Sequence, residues 1–189
     1  MSEVKVYSGG ATGADALWIE SAHEQGCQIE IETFEGHKRT VNVPCKLNII
    51  TQESLFLLSD MIQSTASRLG RRVDMRPFVY NLIARNYFII ENAQVVYAVG
   101  YLNTKHGLGI DGGTAWGCEY FKELRGMATM LYFFDMVRSK WFKLQINEDG
   151  AHEWLECSDV PSPKQFERVA LIGSRELTPE GKLAIQQVW

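Results

Sequence analysis

The sequence predicts an α/β fold, a mostly parallel sheet with helices on both faces and an antiparallel hairpin near the C-terminus. Short apolar runs alternate along the chain with stretches of helical periodicity. Two of those runs, at residues 4–7 and 94–100, lead into glycine-rich turns that open helices. Residues 140–146 and 152–157 alternate polar and apolar on either side of Asn147-Glu148-Asp149-Gly150, a hairpin pattern with Asp-Gly in its turn.

The elements follow in order. Residues 4–7 extend, and the start Met1-Ser2-Glu3-Val4-Lys5 reads as the beginning of a strand rather than a signal peptide. Ser8-Gly9-Gly10-Ala11-Thr12-Gly13-Ala14-Asp15 turns the chain into a helix whose apolar face carries Ala16, Leu17, Trp18, Ile19 and Ala22. Gly26 caps that helix, and residues 27–32 alternate as a half-buried strand. A short strand is expected at 39–43. One helix is expected over 52–69, with Leu55, Leu58, Ile62 and Ala66 at helical spacing and Gly70 ending it. Pro77 suits the first turn of the next helix, whose broad apolar face runs through Val79, Leu82, Ile83, Ile89 and Ile90 to Ala93. Residues 94–100 are almost continuously apolar, as in a strand buried on both faces. A glycine-rich loop at 101–113 leads into a helix over 114–124, and 128–134 forms the next buried strand. After the hairpin, Pro161 and Pro163 mark a linker, 169–173 is a last strand, and Thr178-Pro179-Glu180 starts a last helix. The ending Ile172-Gly173-Ser174-Arg175 echoes the first glycine turn but is expected at an edge of the sheet.

At 189 residues, 46% hydrophobic and 22% charged, the chain fits one globular domain with a sizeable core. A net charge of −4 gives no general attraction to nucleic acid or to an anionic membrane surface, and no apolar run approaches a membrane span. Cys27, Cys45, Cys118 and Cys157 lie far apart, and His23, His37, His106 and His152 are equally scattered. That spacing argues against a disulfide framework or a metal site and fits reduced thiols in a cytoplasmic protein. No cofactor is implied.

A strand that ends in glycines and feeds a helix leaves N–H groups of the first turn unpaired, at the positive end of the helix dipole. Glycine lets that backbone come close to a ligand. The first turn, with Ser8, Gly9, Gly10, Thr12 and Gly13, is therefore a candidate phosphate cradle. Asp15 is placed either to brace the turn or to bind a ribose hydroxyl. A second turn, Asp111-Gly112-Gly113-Thr114, opens the helix that carries Trp116 and Glu119. In open α/β sheets ligands lie outside the carboxyl ends of the strands, where neighbouring loops diverge, so two such turns would flank one pocket. Arg85, in a helix among apolar neighbours, needs an anionic partner. Arg68, Arg71, Arg72 and Arg76 surround Gly70 as a solvated cluster, of which one or two would clamp phosphate if that loop folds over the sheet's carboxyl edge. Trp141, Phe142 and Trp154 either stabilise the hairpin or offer a partner surface.

The two turns, with Arg85-Asn86 between them, resemble the SLOG superfamily over residues 3–135. That group includes the lonely-guy phosphoribohydrolases, the DNA-processing-protein-A-like proteins and proposed molybdenum-cofactor carriers. The resemblance implies a Rossmann-like core over residues 1–135, with the hairpin, closing strand and helix at 136–189 completing a single domain. It also implies a nucleotide-derived ligand, such as an ADP-ribose-type or cyclic nucleotide signal, and a homodimer or higher homo-oligomer. In the lonely-guy enzymes a P-G-G-x-G-T-x-x-E motif and an upstream arginine cleave the N-glycosidic bond of a nucleotide. Laid on this chain, the motif runs from Asp111 to Glu119, so Glu119 and Arg85 match the catalytic pair. Asp111 replaces the proline, Ala115 the third glycine and Trp116 the threonine. These departures favour binding, to sense or sequester the ligand, over hydrolysis. A DNA-handling role is disfavoured by the acidic balance.

Overall fold

A computed structural model describes residues 3–103 and 105–189. Met1 and Ser2, at the head of the expected first strand, and Thr104, in the 101–113 loop, lie outside the described residues. The elements run β1 (Lys5–Ser8), α1 (Ala14–Glu24), β2 (Gln28–Thr33), β3 (Lys46–Ile49), α2 (Gln52–Phe56), α3 (Ser59–Arg68), α4 (Pro77–Ile90), β4 (Val95–Gly100), α5 (Thr114–Arg125), β5 (Leu131–Asp135), β6 (Lys140–Ile146), β7 (His152–Glu156), β8 (Arg168–Gly173) and α6 (Pro179–Gln187). They build the expected Rossmann-like α/β architecture, an eight-stranded sheet ordered β3-β2-β1-β8-β4-β5-β6-β7. Strands from β3 through β5 in that order pair in parallel, and β6 and β7 add the antiparallel hairpin.

Period-two alternation divides the core. Val95, Tyr97 and Val99 of β4 face one layer with Trp18 and Ile19 of α1 and Ile185 of α6. Val96 and Ala98 face the other, with Ile83, Ile89 and Ile90 of α4 and Tyr120 and Phe121 of α5. Burying both faces of the central strands explains why 94–100 reads as a continuous apolar run. Local signals set the helix ends. Thr178 accepts from the Gly181 N–H ahead of α6 and Thr51 from the Ser54 N–H ahead of α2, Pro179 and Pro77 stand in the first turns of α6 and α4, and Gly126 (φ 52°) ends α5.

Three expectations need correction. The final strand is central rather than an edge. β8 inserts between β1 and β4, with Val6 opposite Val169 on one side and Val95 opposite Val169 on the other. Its buried Val169, Ala170 and Leu171 carry the same two-faced apolar pattern as β4. The strand expected at 39–43 is not formed. That segment crosses the first glycine turn, where the Thr40 N–H donates to the Gly10 carbonyl at 3.2 Å, and the strand forms after Pro44 as β3. The helix expected over 52–69 is two, α2 and α3. At the break the Leu58 N–H bonds back only three residues, to the Leu55 carbonyl at 3.4 Å.

Candidate functional site

β1, β8 and β4 lie side by side and end together, so three glycine-bearing turns converge at the carboxyl edge of the sheet. A cavity of about 610 Å³ opens there. The first turn contributes Ala11, Thr12 and Asp15, the turn after β8 contributes Gly173, Ser174 and Arg175, and the turn after β4 contributes Asp111, Gly112, Gly113 and Thr114. Val79, Leu82, Ile83 and Ile89 of α4 make an apolar wall, and Arg85 and Asn86 stand beside it. The segment between α3 and α4 folds across the carboxyl edge and brings in Arg71, Arg72 and Asp74.

The structure thus gathers Thr12, Asp15, Arg85, Asp111, Gly112, Gly113, Thr114 and Trp116 around one cavity, and places Ser8, Gly9, Gly10, Gly13 and Glu119 behind or beside it. Ser8 is buried, and its hydroxyl donates to the Leu171 carbonyl at 2.7 Å, stitching β1 to β8. Gly9 is glycine because a Cβ there would lie 1.9 Å from Arg85 Nη1; its carbonyl accepts from that same nitrogen at 2.8 Å. Gly13 (φ 92°) precedes α1, and a Cβ on it would strike the Arg175 carbonyl oxygen at 2.2 Å. Gly10 takes φ 65°, which turns the chain. The Ala14 N–H donates to the Ser174 carbonyl at 2.9 Å, so the turn after β8 closes the start of α1.

Asp15 fills part of the first cradle with the chain's own carboxylate. One of its oxygens accepts from the Ala11 N–H at 3.4 Å, and the N–H groups of Gly173 and Gly9 also favour its charge. Burial outweighs these donors and the nearby Arg85, and pushes the carboxyl up to about 6. Arg85 is 6% exposed, and burial lowers its pKa against the pull of Asp15. Its Nη2 bonds Asn86 Oδ1 at 3.4 Å, and its Nε is buried with no partner. Among the described residues no carboxylate forms an ion pair with it. His37, stacked on Phe34 at 5.2 Å, is lowered to about 4 by burial and by Arg85, Arg175 and Arg39.

The second turn is held open from outside. Arg71 donates to the Gly112 carbonyl at 2.6 Å and the Ile110 carbonyl at 3.3 Å, and Asn86 donates to the Gly113 carbonyl at 3.4 Å. Gly113 precedes α5 with no side-chain cap. The basic cluster therefore divides. Arg71 and Arg72 line the cavity, while Arg68 pairs with Glu123 and Arg76 with Asp74.

Glu119 is 0% exposed and lies outside the cavity lining. Its Oε1 accepts from the Leu108 N–H at 2.7 Å and its Oε2 pairs with Lys122 at 2.8 Å. It stands in the second turn of α5, past the reach of the helix-start dipole. Trp154 of the hairpin donates to the Leu108 carbonyl at 2.8 Å and packs on Phe133, so Glu119 and Trp154 together pin the 101–113 loop. Trp141 packs on Tyr97 and Phe134, and Trp116 is almost wholly in the core beside Tyr120.

Sequence reasoning passed over Ser174, Arg175 and the α4 wall. The glycine ending of the last strand was the available signal for the first two, and the apolar side chains of α4 carry none that separates a pocket wall from a core face. Among the described residues no group of three His, Cys, Asp or Glu side chains is arranged to hold a metal, all four cysteines are free, and no helix is long and apolar enough to cross a membrane. Compared with protein-family models, curated proteins and solved structures, the chain matches none of them.

Proposed function

We propose that this chain binds a nucleotide or nucleotide-derived phosphate ligand in the cavity between the β1 and β4 turns, sensing or sequestering it. The observation that carries the proposal is Arg85, a buried cation at the cavity whose Nε has no partner and which forms no ion pair among the described residues. A buried guanidinium is costly without an anion, and an anion entering the cavity supplies one. The start of α5, whose N-cap Gly113 has no capping side chain, adds backbone donors, and Arg71 and Arg72 stand near it with the Asp111 carboxylate, which accepts from the Gly112 N–H at 2.8 Å and lies 4.0 Å from Arg71. The wall of Val79, Leu82 and Ile83 suits the apolar face of a base.

Binding without turnover is the better supported form. The N-glycosidic hydrolase suggested by the resemblance to the lonely-guy enzymes needs the motif's glutamate at the ribose, and the matching Glu119 is buried outside the cavity, engaged by Leu108 and Lys122. Calorimetry against nucleoside mono- and diphosphates, ADP-ribose and cyclic nucleotides tests the proposal. At least one is expected to bind, to weaken at least tenfold in Arg85→Met, and to be recovered intact after denaturation. Absence of binding by folded protein to every member of the set contradicts it, and release of free base would move the assignment to hydrolysis.

A further inference from the structure

Two arginines meet at the first glycine turn. At its start a Cβ on Gly9 would lie 1.9 Å from Arg85 Nη1, so that guanidinium rests on the glycine. At its end a Cβ on Gly13 would lie 2.2 Å from the Arg175 carbonyl oxygen, so the backbone of Arg175 rests on the start of α1. Two bonds of 2.9 Å fix that backbone, from the Ala14 N–H to the Ser174 carbonyl and from the Ser174 N–H to the Val99 carbonyl. Ala11 and Thr12, between the two glycines, line the cavity together with both arginines. The Ala11 N–H is turned to Asp15 at 3.4 Å, so an anion entering here relies on side chains more than on the turn's own donors. Arg175 is exposed, and among the described residues its side chain makes no hydrogen bond or ion pair; the same holds for the Thr12 hydroxyl. Arg85 adds its buried, unpartnered Nε. The two charges act on each other: burial lowers the Arg85 pKa, Asp15 opposes that, and Arg175 lowers it further. The acids on this side are Asp15, pushed up to about 6 by burial, and the exposed Glu176. Among the described residues neither lies within ion-pair distance of Arg85 or Arg175. The second turn differs. Arg71 there already holds the Gly112 and Ile110 carbonyls and lies 4.0 Å from Asp111, which accepts from the Gly112 N–H at 2.8 Å.

We infer that the turn after β8 is a ligand-binding element, in which Arg175 joins Arg85 to grip one phosphate-type oxyanion over Ala11 and Thr12. The Thr12 hydroxyl is the third donor, and Ile172 and the α4 wall line the space left for the rest of the ligand. Guanidinium groups present paired N–H donors that match a tetrahedral oxyanion, and its charge relieves the repulsion between the two cations. An anion beside Asp15 favours the protonated carboxyl, which donates to it rather than repelling it. The inference rests on the phosphate-ligand reading of the cavity and deepens it with a residue from beyond 3–135, the stretch that carries the family resemblance. The oxyanion is either a free inorganic ion or the phosphoryl group of a larger ligand.

Backbone amide NMR of the full chain during titration with sodium sulfate tests this. It is run at about pH 5, where Asp15 is mostly protonated, against sodium chloride at equal ionic strength. Sulfate should give saturable shifts at the amides of Ala11, Thr12 and Arg175 that chloride does not. Arg175→Gln should weaken sulfate at least tenfold, and Arg175→Lys should restore part of the loss. Both variants keep the backbone contacts through which Arg175 meets Gly13. Adenosine 5′-monophosphate that displaces sulfate from these amides marks the phosphoryl group of a larger ligand as the occupant; sulfate that it leaves in place marks a free inorganic ion. A folded Arg175→Gln protein that binds sulfate within twofold of the wild type overturns the inference. Saturable shifts confined to Gly112, Gly113 and Thr114 overturn it too, and leave the wider phosphate-ligand proposal intact. Folded protein that binds a nucleotide but no sulfate likewise overturns the inference alone, whereas protein that binds neither removes both. The wild-type shifts decide the matter even if the variants do not fold.

Discussion

Asp15 concentrates the chemistry of the site in one side chain. Its carboxyl is raised by burial to about 6 from the usual range near 4 of a solvated aspartate. Between those values the folded chain retains a proton that the unfolded chain has released. This group's contribution to stability is therefore present at low pH, declines as pH rises from about 4 to about 6, and stays lost above that window. Asn resembles the protonated acid, so Asp15→Asn should be nearly neutral at pH 4 and stabilise the chain by about 2–3 kcal/mol at pH 8. Thermal melts of both proteins across that range check it, and a difference that does not change with pH refutes the buried-acid assignment. His37 titrates in the opposite sense. It is held neutral down to about 4, so its contribution grows as pH rises towards the normal imidazole range, but it is common to both proteins and cancels in the comparison. Gly9 is the second decisive residue. A methyl there would sit 1.9 Å from Arg85 Nη1, so Gly9→Ala should displace the guanidinium, cost about 1–3 kcal/mol and weaken anion binding at least tenfold. Unchanged binding in a folded Gly9→Ala protein would remove Arg85 from the site.

At the scale of elements, the loop between β4 and α5 carries the clearest consequence. Both backbone groups of Leu108 are held by distant side chains, the N–H by Glu119 and the carbonyl by Trp154. Glu119→Ala leaves the buried Leu108 N–H unsatisfied and Lys122 without its partner, at an expected cost of about 2–3 kcal/mol. It should also make the loop a site of limited proteolysis. A variant of wild-type stability and protease resistance would show that Glu119 is not the anchor. Much of this level was legible in the sequence. Pro77, Pro179 and Thr178 mark helix starts because ring closure and hydroxyl capping are local effects, and the Asp149-Gly150 hairpin follows from its turn chemistry. At residues 39–43 alternation alone does not distinguish a paired strand from a segment crossing the sheet end, where Val41 and Val43 are half-buried without a ladder. The break at Leu57–Leu58 is hidden in the sequence because the core-facing spacing of Leu55, Leu58 and Ile62 survives it. The motif match brought Glu119 forward as catalytic because a sequence pattern does not say which way a carboxylate points. Its actual partner, Leu108, lies eleven residues away around a loop.

Across the whole molecule, the position of β8 decides both the stability of the sheet and the shape of the site. A strand formed by residues near the C-terminus lies between two of the innermost parallel strands, so the sheet is completed only when residues 168–173 dock. Removing residues 158–189 deprives β1 and β4 of their shared neighbour and the α1 layer of α6. The truncated chain should lose cooperative unfolding, whereas loss of a mere edge strand would leave a folded core. The same docking brings Gly173, Ser174 and Arg175 to the cavity and holds the β1 and β4 turns two strand spacings apart. Sequence order hides this, because the last strand is far from its neighbours along the chain and only its run of two-faced apolar residues hints at the centre. Methyl-resolved NMR during titration with adenosine 5′-monophosphate tests the central claim most directly. The ligand is expected to shift the methyls of Val79, Leu82, Ile83, Ile89 and Ile172 around the cavity, while Ile19 and Ile185 on the opposite face stay in place. Saturable binding that moves the opposite-face methyls and leaves the cavity methyls unchanged would contradict the account.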